Sequence, residues 1–483
     1  MKEISINQVY KEAKEAFRSW SIRPIEERIN YLKRLRFHIV DHIDELVDII
    51  IKDTGKVKVD ALTADILTTL DGIKHIEKHA KRALGKKMPT PIFLLGKSSY
   101  VEYKPKGVVL VISPWNFPLQ LSMIPVISAV VGGNTVILKP SEVTPLVGRA
   151  REEIFKDAGF PPNVVQVLHG GKDISAALVK GRPDYIFFTG LVMTGKIIQE
   201  QAARELIPTT LELGGKDPMI VFADAPIDRA IGGAIWGASN NAGQVCMSVE
   251  RLYVERSIYN QFLEKLVEEV RNLKVGDDIG FMISPAQVGI VRSHVEDALS
   301  KGAKLLTGKA PDKWGQGTFI HPMVMVDLTP YMQIMNEETF GVVLPVIPFD
   351  TEDEVIQQAN NSAYGLNASV WSKDIERAQR VASRLNSGGV AINDVIIIIA
   401  NSYLPFGGEK LSGIGRYHGD IGLQTFCHQT SVMVDKGKRH REVNWFPYKD
   451  KYPFFHRLIR SYFGKSVDWL GFIRSYIGLL KKS

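Results

Sequence analysis

From residue 107 onward, short apolar runs alternate with longer stretches of helical periodicity, and that alternation leaves few folds open. The runs are "GVVLVIS", "NTVILKP", "NVVQVLH" and "DYIFFTG", each followed by polar residues or by Gly and Pro. Strands that read as continuous apolar runs, separated by helices, are the pattern of parallel β-α-β units. A second series follows: "PMIVFA", "RLYVER", "GVVLPVIP", "LNASVWS" and "GVAIND". The expectation is an α/β chain with two open parallel-sheet domains, the second beginning near residue 211. The first 85 residues read as helices, with Ile25, Ile29, Leu32, Leu35 and Ile39 at helical spacing. The Pro/Gly-punctuated stretch from Met88 to Gly107 reads as an extended hairpin. Ile396 to Ile399, four isoleucines in a row, read as a buried or interface strand, far too short to span a membrane.

One stretch points to a nucleotide. In "FFTGLVMTGKII", Gly190, Gly195 and Lys196 have the spacing of a phosphate-cradling loop. A Walker loop follows its lysine with Ser or Thr to bind Mg²⁺, and here Ile197 follows. The glycines still suit a strand-to-helix turn that lets backbone approach phosphate. Two cysteines in 483 residues make no disulfide framework, and the N-terminus has no apolar signal-like run, so a reducing, cytoplasmic setting is expected. No Cys/His cluster has metal spacing, and no structural zinc is expected.

Three short segments carry side chains able to do chemistry. Cys246 lies in the small, polar "NNAGQVCMSVE"; it reads either as an activated nucleophile or as a buried inert thiol. Glu212 lies between two leucines in "TLELGGKDP". A carboxylate so flanked is partly desolvated and suited to general-base work, unless it lies on an edge strand facing water. Asn116 in "ISPWNFPLQLS" is bracketed by Pro114 and Pro118, which preorganise its amide as an oxyanion donor or as a simple turn.

With those residues in place, the chain resembles the NAD(P)-dependent aldehyde dehydrogenase superfamily from about residue 10 to 435. The motifs are "PWNFP", "LKPSE", "FTG…G", "LELGGK", "GQVC", "EETFG" and "LPFGGEKLSGIGRYHG", in the family's order, with Glu212 and Cys246 34 residues apart. Within the superfamily it is most similar to the class 3 and fatty-aldehyde branch, through its direct helical start and "SGIGRYHG…TFCHQTSV". The resemblance implies that Cys246 attacks an aldehyde, that Asn116 and the Cys246 N–H hold the oxyanion, and that Glu212 activates water against a thioacyl-enzyme. It implies NAD or NADP as cofactor. Lys139 and Glu142 would bind its adenosine ribose, Glu338 and Phe340 its nicotinamide side, and Trp115, Gly190 and Gly195 would lie along its site. It further implies a Rossmann-like cofactor domain (1–90 and 105–210), a catalytic domain (211–395), bridging or oligomerisation strands (91–104 and 396–435) and a homodimer. Leu191, Val342 and the charged pair Glu409–Lys410 depart from the family's usual residues. A thioester hydrolase and a catalytically silent membrane-surface relative are the competing readings.

Residues 436–483 carry 12 Lys and Arg against 3 Asp and Glu, so the rest of a chain that is +7 overall is close to neutral. The body is therefore no general polyanion binder, and nucleic acid is not an expected partner. The tail also holds 11 of the 43 aromatic residues. Leu470, Ile473, Ile477 and Leu480, with Trp469 and Tyr476, read as one face of a basic amphipathic helix suited either to peripheral membrane contact or to packing on the protein's own dimer.

Overall fold

The computed structural model describes residues 5–315 and 317–483. The larger of its two compact units, Met1–Lys86 with Glu102–Thr430, contains two parallel sheets. The first is built from β1 (Val108–Ile112), β2 (Thr135–Lys139), β3 (Val165–Val167), β4 (Tyr185–Thr189) and β5 (Thr209–Glu212). Its order is β5-β4-β1-β2-β3, with the short strand Gly413–Ile414 antiparallel on the outer edge of β5. All five residues of β1 and of β2 are buried, which is why both strands read as unbroken apolar runs. The helix Gln120–Val131 lies against β1 and β2 and is buried on every side. Helices Ile25–Asp41 and Thr68–Ala83 cover it in turn.

The second sheet is built from β6 (Asp217–Val221), β7 (Val249–Glu255), β8 (Met323–Val326), β9 (Val343–Phe349), β10 (Asn367–Trp371) and β11 (Gly389–Ile392). Its order is β8-β9-β7-β6-β10-β11, with Lys304–Leu305 antiparallel to β8. The chain passes from one sheet to the other between Glu212 and Asp217, a few residues beyond the expected start at 211.

Ile396–Ile399 are not a strand. Ile396 takes a left-handed conformation (φ 60°) and Ile397–Ala400 form a 3₁₀ turn. The positive φ ends the extended path that a strand would need, and the isoleucines turn to line a cavity instead. The segment 396–430 belongs to the larger unit rather than forming bridging strands throughout.

The smaller unit holds Lys87–Val101 and Ser431–Ser483. Strands Gly85–Met88, Lys97–Pro105 and Cys427–Asp435 lie side by side in a three-stranded sheet. The tail forms two helices, Tyr452–Phe463 and Trp469–Lys481, that pack on each other. Phe472, Tyr476 and Leu479 are buried with Leu458 and Val443. Tyr476 is thus on the inner face, and Leu470, Ile473, Ile477, Leu480 and Trp469 remain exposed. The second helix carries two apolar stripes, and pairing with the first consumes only one.

Candidate active site

The strand order reverses direction beside β1, so the chain leaving β1 and the chain leaving β4 diverge and open a crevice at the carboxyl ends of the strands. Ligands of open α/β sheets bind at such a switch point. Pro114, Trp115 and Asn116 leave β1 there, and Thr189 and Gly190 leave β4. Glu212 ends β5 next door, paired with Thr189 in register. From the second sheet come Cys246, on the loop before β7, and Glu338 and Phe340, on the loop before β9. Trp115, Asn116, Gly190, Glu212, Cys246, Glu338 and Phe340 line one cleft of about 100 Å³.

The electrostatics of the cleft follow from its burial. Glu212 is 4% exposed, and neither carboxylate oxygen has a hydrogen-bond partner. Desolvation raises its pKa well above the usual range, opposed by the charge of Arg416. Arg416 is held by an ion pair with Glu409 and donates to the carbonyls of Gly408 and Gly415. Lys410 donates to the carbonyls of Asn360 (2.8 Å) and Ser362 (2.9 Å), so the two charges of "GGEKLSG" each have a place. Burial also pushes the Cys246 thiol up, with Glu338, Asp217 and Glu212 adding to the effect. Glu338, which accepts from the Gly215 N–H at 3.1 Å, is pushed up to about 8 by burial and by Glu250. Gly215 has no room for a side chain, since a Cβ would lie 2.4 Å from the carbonyl oxygen of Cys246.

Asn116 is buried, and its amide donates to the carbonyl of Gln244 at 3.1 Å, two residues before Cys246. That bond uses one of the two Nδ2 hydrogens and fixes the amide plane. The loop carrying Phe340 is held by Glu250, which accepts from the N–H groups of Thr339 (2.8 Å) and Phe340 (2.9 Å). Lys216 is buried against Glu250. Phe340 takes a positive φ (52°), and its ring meets Trp115 edge-on at 5.5 Å.

Other expected site residues lie apart from this cleft. Lys139 and Glu142 form a 2.7 Å ion pair at the end of β2. Gly195 does not reach the cleft. It lies on the buried side of helix Val192–Arg204, where a Cβ would meet Leu213 at 2.7 Å, so it allows close helix–strand packing. Leu191, by contrast, lines the cleft; it precedes that helix, is exposed, and supplies no side-chain cap.

A second cavity, of about 430 Å³, also reaches Cys246. Phe117, Leu121, Trp236, Val245, Met247, Ile396, Ile397, Ile399, Phe406 and Tyr417 form most of its wall. Asp71 is its one acidic residue, and it accepts from Ser402. Among the described residues, no Lys, Arg or His lines it. These wall residues come from separate segments; the sequence motifs and the isoleucine run contain several of them, but nothing in the sequence marked them as walls of one cavity.

The cleft and the strand ends beside it carry groups suited to a dinucleotide. The first turn of helix Val192–Arg204 presents N–H groups with no side-chain acceptor, as a pyrophosphate requires. Glu338, Phe340 and Trp115 would hold the nicotinamide side, and Lys139 and Glu142 suit a ribose.

Residues 1–432 match the model of the aldehyde dehydrogenase family. The chain is 42% identical over 449 residues to a 4,4'-diapolycopene aldehyde oxidase of a Methylomonas species, covering 92% of this chain and 84% of that protein. It is 36% identical over 438 residues to a putative NADP(+) succinate-semialdehyde dehydrogenase of Mycobacterium bovis, covering 89% of this chain and 84% of the relative. Among solved structures, it is similar to the NAD⁺ complex of an aldehyde dehydrogenase from Bacillus cereus, with a TM-score of 0.84, 36% identity and 89% of each chain covered. The chain belongs to the aldehyde dehydrogenase family and is an NAD(P)-dependent oxidoreductase acting on aldehydes.

Proposed function

We propose that this chain oxidises apolar, uncharged aldehydes of medium to long chain, or aromatic ones, to carboxylic acids, through a thioester on Cys246. The observation that carries the reading is that Cys246 lines both cavities: the cleft with Glu338 and Phe340 on one side, and the apolar cavity on the other. A carbonyl held at that junction meets the sulfur while its tail lies among aliphatic and aromatic side chains.

The Cys246 thiol gives up its proton, which passes to solvent, and its sulfur adds to the carbonyl carbon to form a thiohemiacetal. The oxyanion takes the second Nδ2 hydrogen of Asn116 and the Cys246 N–H. A donor of this kind is worth roughly 2.7–4 kcal/mol in acyl chemistry. A bound oxidised nicotinamide, held by Glu338, Phe340 and Trp115, would supply the acceptor for the hydride of the former aldehyde carbon. Glu212 then takes a proton from water, which attacks the thioester; the carboxylic acid leaves and the thiol is restored. Its unpaired, desolvated carboxylate is suited to that task.

The walls of the cavity support the substrate class. A carboxylate-tailed aldehyde would find Asp71 and no cation. Leu67, Trp236 and Ile397 are exposed at residues that line it, which suits an apolar chain arriving from water or lipid. The diapolycopene aldehyde in one relative's name agrees with this class; the succinate semialdehyde in the other's does not. The likeness of "SGIGRYHG…TFCHQTSV" to the fatty-aldehyde branch points the same way. Lys139 and Glu142 neutralise each other, so the ribose site repels neither NAD nor NADP.

The same proposal has the protein working as a cytoplasmic homodimer in peripheral contact with anionic membranes. Among the described residues no helix is long and apolar enough to cross one. Leu470 (68% exposed), Ile473 (50%), Ile477 and Leu480 form a stripe on one helix, flanked by Arg474 and Lys481, and Tyr452, Ile459 and Phe463 form another on its partner. A basic, aromatic pair of this kind suits the lipid interface.

The substrate reading is tested by steady-state rates on straight-chain aldehydes of increasing length, with NAD and NADP side by side. kcat/KM should rise with chain length by at least about tenfold, as burial of further methylenes contributes. Succinate semialdehyde outperforming the long aldehydes would overturn it.

A further inference from the structure

Residues 56–67 lie outside every motif that carries the chemistry, yet three of their charged side chains are buried beside it. Lys56 and Asp65 form an ion pair at 2.7 Å with almost no solvent exposure. Lys56 also donates to the carbonyl of Asn116 at 2.9 Å and lies 4.5 Å over the ring of Phe117. The other oxygen of Asp65 accepts from the N–H groups of Leu119 (3.1 Å) and Gln120 (3.2 Å). The pair therefore grips the loop Asn116–Gln120 at both ends.

Asp60 grips the other loop. It accepts from the side chain of Asn240 (2.9 Å) and from the N–H of Asn241 (3.1 Å). Asn241 and Ala242 both take positive φ, 51° and 57°, a conformation that is strained for an alanine and persists only where neighbours impose it. Asn241 closes the circuit by donating to the carbonyls of Asn116 (3.0 Å) and Gln244 (3.2 Å). Cys246 is two residues further on.

Residues Ala61–Leu67 form a π-helical turn, which widens the helix by one residue and is common at functional sites. Thr63, Ala64 and Leu67 of this turn line the apolar cavity, while Asp65 is turned away into the buried circuit.

We propose that Lys56, Asp60 and Asp65 are positioning residues that set the amide of Asn116 against the loop of Cys246, and that the π-helical turn ties this geometry to the wall of the aldehyde cavity. The proposal rests on the reading of Asn116 as an oxyanion donor. Two charged groups leave water for this site, and a buried pair of that kind is poor value for stability alone.

A double-mutant cycle tests it. Asp65→Asn should lower kcat by about tenfold or more while KM for the aldehyde moves less than about threefold, the split expected when a transition-state contact is lost. In an Asn116→Ala background the same change should cost less than about twofold further. Asp60→Asn, which removes the charge but keeps an acceptor for the Asn241 N–H, reads the same claim without disturbing the ion pair. It should show the same split and the same loss of effect beside Asn116→Ala. Circular dichroism and thermal melts establish that each variant is folded; should Asp65→Asn fail to fold, the Asp60→Asn cycle decides. Full multiplication of the two losses, or a fall in thermal stability with kcat unchanged, would overturn the proposal. Wild-type turnover in Asn116→Ala alone would instead remove the oxyanion reading beneath it.

Discussion

At the scale of single residues, the state of Cys246 is set by its surroundings. Burial and three acidic neighbours hold the thiol above its ordinary range, so it is protonated near neutral pH in the cofactor-free protein. The expected outcome is slow alkylation by iodoacetamide at pH 7, climbing about tenfold per pH unit without levelling off by about pH 9, where a free thiol is already half ionised or more. Peptide mass spectrometry of the Cys246 fragment measures it; a plateau below pH 8 would contradict the burial argument. Cys246, Glu212 and Asn116 could be singled out because each sits in a short, distinctive motif, and the structure brings the three to one cleft. Lys56, Asp60 and Asp65 could not be. Their partners in the two site loops lie 54 to 181 positions away, and nothing local distinguishes a buried aspartate on a helix from an exposed one.

At the scale of elements, the apolar runs gave the strands of both sheets, because a strand covered on two faces has little room for polar residues. The isoleucine run Ile396–Ile399 looked the same and is a turn. Hydrophobicity reports burial, whereas the left-handed Ile396 is imposed by the tertiary path. The tail shows a related limit: helical spacing was visible, but not which apolar stripe faces the neighbouring helix and which faces out. On the proposed membrane role, Leu470→Glu with Ile473→Glu should abolish sedimentation with vesicles containing anionic phosphatidylglycerol and leave activity on short aldehydes in solution unchanged. Both positions are exposed, so the fold should tolerate them. Failure of the unaltered protein to sediment with such vesicles would contradict the role, and a shift to monomer in the variant would assign the stripe to a second copy.

At the scale of the whole molecule, function depends on two sheets contributing to one junction. The first supplies a crevice at its strand ends with Asn116 and Glu212; the second supplies Cys246 and the loop of Glu338 and Phe340. The apolar cavity arrives at the same sulfur from the other side. Family membership was readable from ordered motifs, but the shape of that cavity was not, since its walls are scattered from Thr63 to Tyr417.

The most direct test of the central claim is a single turnover of the Glu212→Gln variant with a long-chain aldehyde and NAD or NADP, followed by mass spectrometry of the intact protein and of its peptides. One acyl group is expected on Cys246, formed together with one equivalent of reduced nicotinamide and hydrolysed much more slowly than in the unaltered protein. An acyl group on any other residue, or reduced nicotinamide produced at the normal steady rate with Cys246 unmodified, would contradict it.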